Sequence, residues 1–183
     1  MRKTRIAGLI LGLGLLLPAF ALDESKPGDP DTRVRVGEAV PPFSLVTLEG
    51  ETIDIQAMKG KVILINFFAD WCPPCKKEMP RLEKDIWRKY KGKNFLLLGI
   101  GRENTREEVA QFRKDFSVTF PLGPDPQREI YAKFARQYIP RNILVDKNGW
   151  IVYQSRGYEE EEFAGMIALI DQTLRESAKT EEP

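Results

Sequence analysis

The stretch FFADWCPPCKKEMP, residues 67–80, holds the only two cysteines of a 183-residue chain that contains no histidine. Cys72 and Cys75 stand three positions apart, and what such a pair can do decides how the rest is read. Structural zinc takes four protein ligands and catalytic zinc three. Without a histidine or a third cysteine, distant carboxylates would have to complete the set, a poor match for that metal. Two-coordinate Cu(I) on a thiolate pair stays open, because soft metals suit such ligands. A bracing disulfide gains stability with the length of the loop it closes, so this spacing is the least rewarding place for one. A short, strained bridge is instead easily reduced. That leaves a redox dithiol as the leading use.

Helical spacing separates the roles of the two sulfurs. A helix is predicted from about 74 to 90, in which Cys75, Met79, Leu82, Ile86 and Tyr90 follow one another at steps of 4, 3, 4 and 4. Those steps make one stripe of a helix, and Cys75 is its first, inward-facing member. Cys72 falls at the helix N-terminus, where unpaired amides and the helix dipole favour an anion. Cys72 is therefore expected to be the nucleophile and Cys75 the resolving thiol. Trp71 is expected as a partly exposed indole lining a docking surface beside the sulfur. Pro73 and Pro74 stiffen the link between the cysteines, and Pro74 suits a first helical turn, where its missing N–H has no partner.

The N-terminus speaks to location. Arg2, Lys3 and Arg5 precede the apolar run IAGLILGLGLLL (residues 6–17), then Pro18 and the triplet Ala19-Phe20-Ala21. This is the pattern of a secretory signal over 1–21, with cleavage after Ala21. Left uncleaved, the same stretch would be a short membrane anchor. Either outcome places the folded part in the periplasm or another extracytoplasmic space. Removing 1–21 changes 28 Lys+Arg against 27 Asp+Glu to 25 against 27. That balance offers no basic face to nucleic acid. The Pro- and Gly-rich residues 22–39 read as a flexible linker, 40–177 as one domain, and 178–183 as a disordered tail.

Along the domain, PPFSLVTLEG and TIDIQAM suggest a β-hairpin around a Glu-Gly turn. KVILINFF and NFLLLGIG are continuous apolar runs, as expected of parallel strands covered on both faces. NTREEVAQFRKDF is a helix with a capping box of Thr105 and Glu108. DPQREIYAKFA reads as another, with Asp125 as cap and Pro126 in the first helical position. NILVD and WIVYQ form a hairpin across DKNG, and a final helix runs from about 159 to 177. GIGREN is an incomplete dinucleotide loop, with Asn104 in the third glycine position. The succession of elements specifies an α/β fold.

With these residues placed, the chain resembles the thioredoxin superfamily and, within it, the exported TlpA/ResA-like thiol–disulfide oxidoreductases. The likeness runs from about Val40 to Leu174. Its specific part is NFFADWCPPCKKEMP, which matches the family's W-C-x-x-C and following E-x-P, with Pro80 at the place of the kink proline. The second landmark is Ile139-Pro140 just before a strand. The resemblance implies that Pro140 is cis and that the Ile139 backbone pairs with an extended substrate. It also implies a thioredoxin-like fold, a central mixed sheet flanked by helices, with an N-terminal β-hairpin and an inserted helix near 126–134.

Two positions depart from the pattern. Asn66 stands where thioredoxins carry a buried Asp, and an amide cannot shuttle a proton. The resemblance gives that acid–base role to Glu78, although its neighbours Lys76 and Lys77 suggest a solvent-facing stretch. Arg141 follows the proline where Thr is usual. A cation there would stabilise the Cys72 thiolate, hold an acidic partner, or point to solvent. The function implied is reduction of protein disulfides, apocytochrome c among them, with electrons from a transmembrane donor and with neither cofactor nor metal. Two rivals use the same residues: a thioredoxin-fold binding or assembly module with an incidental dithiol, and a Cu(I) carrier. Full function in a Cys72→Ser variant would mark the first, and stoichiometric Cu(I) retention the second.

Overall fold

VILINFF is buried from end to end and forms the middle strand of a five-stranded sheet. The structure is a computed structural model that describes residues 30–179; the expected signal 1–21, the linker residues 22–29 and the tail residues 180–183 lie outside the described residues. In chain order come β1 (Ser44–Val46), β2 (Thr52–Asp54), β3 (Val62–Phe68) and α1 (Pro73–Arg81). A π-helical segment (Leu82–Trp87) and the last turn α2 (Arg88–Tyr90) continue α1. Then follow β4 (Phe95–Arg102), α3 (Arg106–Phe116), β5 (Leu122–Asp125) and α4 (Tyr131–Phe134). The chain closes with β6 (Arg141–Val145), β7 (Ile151–Arg156) and α5 (Glu160–Lys179).

The sheet order is β5-β4-β3-β6-β7. β3, β4 and β5 are parallel, whereas β6 and β7 run antiparallel to their neighbours. Successive side chains of a strand point to opposite faces. Val62, Leu64 and Phe68 accordingly meet Met79, Leu82, Val109, Phe112, Phe163 and Met166 of the helices. Ile63, Ile65 and Phe67 meet the other layer, made by the hairpin, the segment around Val34 and Val40, and α4. The mixed α/β sheet, the N-terminal hairpin and the inserted helix are all present.

Four local expectations change. The predicted helix over 74–90 begins one residue earlier, at Pro73, and is not uniform. Pro80 withholds an N–H from the ladder, and the π turn follows directly, a usual way for a helix to absorb such a gap. The inward stripe of Cys75, Met79, Leu82, Ile86 and Tyr90 survives this and is wholly buried. Second, Asp125, expected only as a helix cap, ends a strand, LGPD. Pro124 is tolerated because β5 is an edge strand, bonded within the sheet only to β4.

Third, no helix starts at Pro126. Arg128 has a φ of 61°, which breaks a helical path, and α4 is a single turn. Asp125 is not its N-cap, which is Ile130, but from the end of β5 its carboxylate accepts the Ile130 and Tyr131 amides at 3.2 and 2.8 Å. Fourth, residues 30–39, expected as part of a flexible linker, lie along the domain. Thr32 bridges to Ala135 and Ala39 to Trp150, and Val34 is buried with Val36 partly so. Two apolar side chains and backbone pairing hold what composition alone marked as free.

The GIGREN glycines serve packing. A Cβ on Gly101 would stand 2.5 Å from Val109 Cγ2 and 3.2 Å from Asn104 Cβ, so α3 approaches β4 only because that residue is bare. Gly101→Ala is expected to lower stability by about 1–3 kcal/mol. Urea unfolding would show this as a lower midpoint with an unchanged slope.

Candidate active site

α1 starts where β3 ends. Cys72 is its N-cap, with an extended backbone, and Pro73 and Pro74 fill the first two helical positions. Neither proline has an N–H, so the first amide able to reach the cap sulfur is that of Cys75, 3.3 Å from Cys72 Sγ. Cys72 and Cys75 are joined in a disulfide with Cα atoms 5.3 Å apart. Both are buried. Asn104, the residue that spoiled the dinucleotide motif, steadies the approach to them. Its Oδ1 accepts the Asp70 amide at 3.0 Å, and its Nδ2 donates to Asp70 Oδ1 at 2.6 Å.

One turn after Cys75, on the same side of α1, Glu78 is 2 % exposed. The solvent-facing alternative is excluded even though Lys76 and Lys77 are exposed as expected. Two neutral amides meet its carboxylate: Asn142 Nδ2 donates to Oε1 at 2.6 Å and Asn66 Nδ2 to Oε2 at 3.0 Å. Asn66 also donates to Asn142 Oδ1 at 2.9 Å, and Asn142 to Ser155 Oγ at 3.3 Å. The register explains the row, because Asn66 sits opposite Asn142 and Asn142 opposite Ser155 across β3, β6 and β7.

Burial pushes the Glu78 carboxyl up to about 7. The Asn142 and Asn66 hydrogen bonds oppose that rise, and the charge of Glu162 adds to it. Ser155, Tyr158 and Glu162, the last on α5, line with Glu78 a crevice too narrow to hold a water molecule. At neutral pH a carboxyl so placed, one turn along α1 from Cys75, exists in both protonation states.

The third component comes from far along the chain. The Ile139-Pro140 bond is cis, as the resemblance implied, and the Ile139 carbonyl oxygen lies 3.7 Å from Cys72 Sγ. Trp71 is 55 % exposed, with the Arg102 guanidinium 5.6 Å from the centre of its ring. Arg141 neither faces solvent nor contacts the dithiol. It is buried, donating to Thr32 Oγ1 at 3.0 Å and to the Gln137 carbonyl at 3.2 Å.

The structure thus sets the Ile139-Pro140 segment beside Cys72, with Trp71 next to it in the chain and Glu78 one turn after Cys75. Asn142 was missed, although an amide inside the apolar run of a buried strand was its signal. Glu83 was missed too. It is buried on the π segment and receives the Thr119 amide and hydroxyl at 2.8 and 2.9 Å, tying the loop after α3 to the active-site helix.

Comparison with known proteins agrees with this geometry. The Redoxin family matches residues 35–170. A thiol–disulfide oxidoreductase ResA from Bacillus cereus is 30% identical over 164 residues, covering 88% of this chain and 94% of the relative. A solution structure of a candidate protein disulfide isomerase from Bacteroides thetaiotaomicron is 42% identical at a TM-score of 0.78, covering 82% of this chain and 96% of that one. A solution structure of a candidate thioredoxin from Neisseria meningitidis is 34% identical at a TM-score of 0.66, covering 74% and 89% respectively.

The Glu78 environment makes stability pH-dependent with a definite sign. Unfolded, the carboxyl releases its proton near its ordinary value of 4.5; folded, it holds it to about 7. Between those values the folded state binds more protons, so this group makes stability fall as pH rises through the window. The contribution is roughly 3 kcal/mol in total. In urea unfolding of the oxidised protein across pH 4–8, Glu78→Gln is expected to flatten that fall.

Proposed function

The chain belongs to the Redoxin family and is a thiol–disulfide oxidoreductase of the ResA type, and from that premise we propose that it is an exported reductase of protein disulfides. The thiolate of Cys72 attacks one sulfur of the partner's disulfide, and the other partner sulfur leaves and takes a proton. Cys75 gives its proton to Glu78 and attacks Cys72 Sγ. The second partner sulfur departs, and the Cys72–Cys75 bond closes. Two electrons have passed to the partner, and a donor must return them. Trp71 and the Ile139-Pro140 segment form the surface on which the partner docks.

The single observation that carries the reducing direction is the pair of prolines at the first two helical positions. An N-cap side chain takes its hydrogen bonds from the second and third amides of the helix. Here only the third exists, from Cys75. The chain also has no histidine to place a cation beside the sulfur. Strong oxidants of this class owe their potential to a stabilised reduced form. One amide donor to Cys72 gives little of that stabilisation, which supports a low potential.

The signal pattern of residues 1–21 supports export into the periplasm or an equivalent space, by cleavage or as a tether. A reductase there needs electrons from across the membrane, and a transmembrane donor meets that need. Apocytochrome c, whose haem-binding thiols must be reduced, is the substrate class that the family likeness favours.

The test is the reduction potential of Cys72–Cys75, measured by equilibration in graded thiol/disulfide buffers with trapping of free thiols. A value near or below about −250 mV is expected; one near about −120 mV would mark an oxidant and overturn the direction. Cys75→Ser is expected to accumulate a mixed disulfide through Cys72 on non-reducing gels, and Cys72→Ser to form none.

A further inference from the structure

The loop that carries Ile139 is held from beneath by Tyr131, a residue no motif singled out. Tyr131 is fully buried on the one-turn helix α4. Its hydroxyl lies 2.6 Å from the Gln137 carbonyl oxygen and 2.6 Å from that of Tyr138. A hydroxyl has one proton, so it serves these two acceptors jointly or in turn. Arg141 supplies a second donor to the Gln137 carbonyl at 3.2 Å. The loop needs such support. Tyr138 has a φ of 70°, a left-handed conformation that a bulky side chain keeps only where its surroundings enforce it.

Tyr131 is itself fixed by three strands. Its amide donates to the Asp125 carboxylate at the end of β5 at 2.8 Å. Its ring meets Phe67 of β3 edge-on at 5.2 Å. The guanidinium of Arg102 on β4 lies 4.9 Å from the ring centre, and that of Arg128 lies 5.4 Å away. The hydroxyl therefore occupies a point set by the sheet and hands that position to a loop with no regular structure of its own. The next residue along, Ile139, presents its carbonyl 3.7 Å from Cys72 Sγ.

We infer that Tyr131 is a positioning residue for polypeptide substrates. Its hydroxyl, together with Arg141, draws the Gln137 and Tyr138 carbonyls inward and so fixes the Ile139 backbone beside Cys72, where an extended partner chain aligns. This rests on the exchange reaction proposed above. A disulfide embedded in a polypeptide uses that alignment; a small aromatic disulfide reaches Cys72 without it.

The experiment compares single-turnover rates of the pre-reduced wild type and Tyr131→Phe with two oxidants, insulin and 5,5′-dithiobis(2-nitrobenzoate). Removing one hydroxyl is expected to lower the second-order rate constant toward insulin about tenfold. The rate constant toward the small disulfide is expected to stay within about twofold, and near-UV circular dichroism to be unchanged. An equal loss toward both oxidants, or no loss toward insulin, would overturn the inference. A wild type that reduces neither would instead remove the exchange reading on which it rests.

Discussion

Burial of β3 on both faces is the constraint on which the site depends. A strand packed on two sides has no freedom to slide or rotate, since a one-residue slip would send every side chain to the wrong layer. Its C-terminal end is therefore a fixed point, and the chain turns there into α1 through Trp71 and Cys72. The dithiol is a property of that junction. Cys72 caps the helix because the helix must begin at that point, and Cys75 faces inward because it opens the stripe that packs on the sheet. The second layer matters as much as the helices. Without the hairpin, the 30–40 segment and α4 on the far face, Ile63, Ile65 and Phe67 would be exposed to water.

Among the carboxylates that the fold buries, Glu78 meets only neutral hydrogen-bond partners. An ionised group in such a place is costly unless hydrogen bonds compensate. Asn66 and Asn142 compensate in part, which leaves the Glu78 carboxyl raised to about 7 instead of either locked as a charge or permanently neutral. A cation in place of either amide would have held the carboxylate ionised and made it a poor proton donor. Asn66 on the strand therefore helps to set the protonation of the buried carboxyl on the helix. Glu83 offers a contrast on the same helical segment. Bonded to Thr119 and Arg88, it serves only to hold a loop.

The sequence made the scaffold and the two thiols legible because they rest on local rules. Apolar runs marked β3 and β4, the Thr105–Glu108 box marked α3, and the spacing from Cys75 to Tyr90 marked the inner face of the active-site helix. Local rules misled where a residue's neighbours in space outweighed its neighbours in sequence. Pro124 looks like a breaker until β5 is seen to be an edge. Residues 30–39 look like a linker until Val34 and Val36 are seen packed against the layer beside Ile63 and Ile65. Arg141 stood open to a role at the thiolate, at an acidic partner or in solvent; it instead spans from Thr32 to the Gln137 carbonyl.

What the sequence by itself determined is the chemistry: two thiols at redox spacing, one at a helix start and one on its buried face, in a chain without the ligands for zinc. Each of those facts depends on residues within a few positions of one another. What only the tertiary structure decided is which polar groups meet around the Glu78 carboxyl. Asn66, Glu78, Asn142 and Ser155 lie on four different elements and share a row only because β3, β6 and β7 pair in one register beneath α1. Ile139 likewise reaches Cys72 from far along the chain, and Tyr131 reaches the carbonyls of the two residues before Ile139. Hydrogen bonds between strands distant in sequence obey pairing geometry, and no local pattern of residues encodes it.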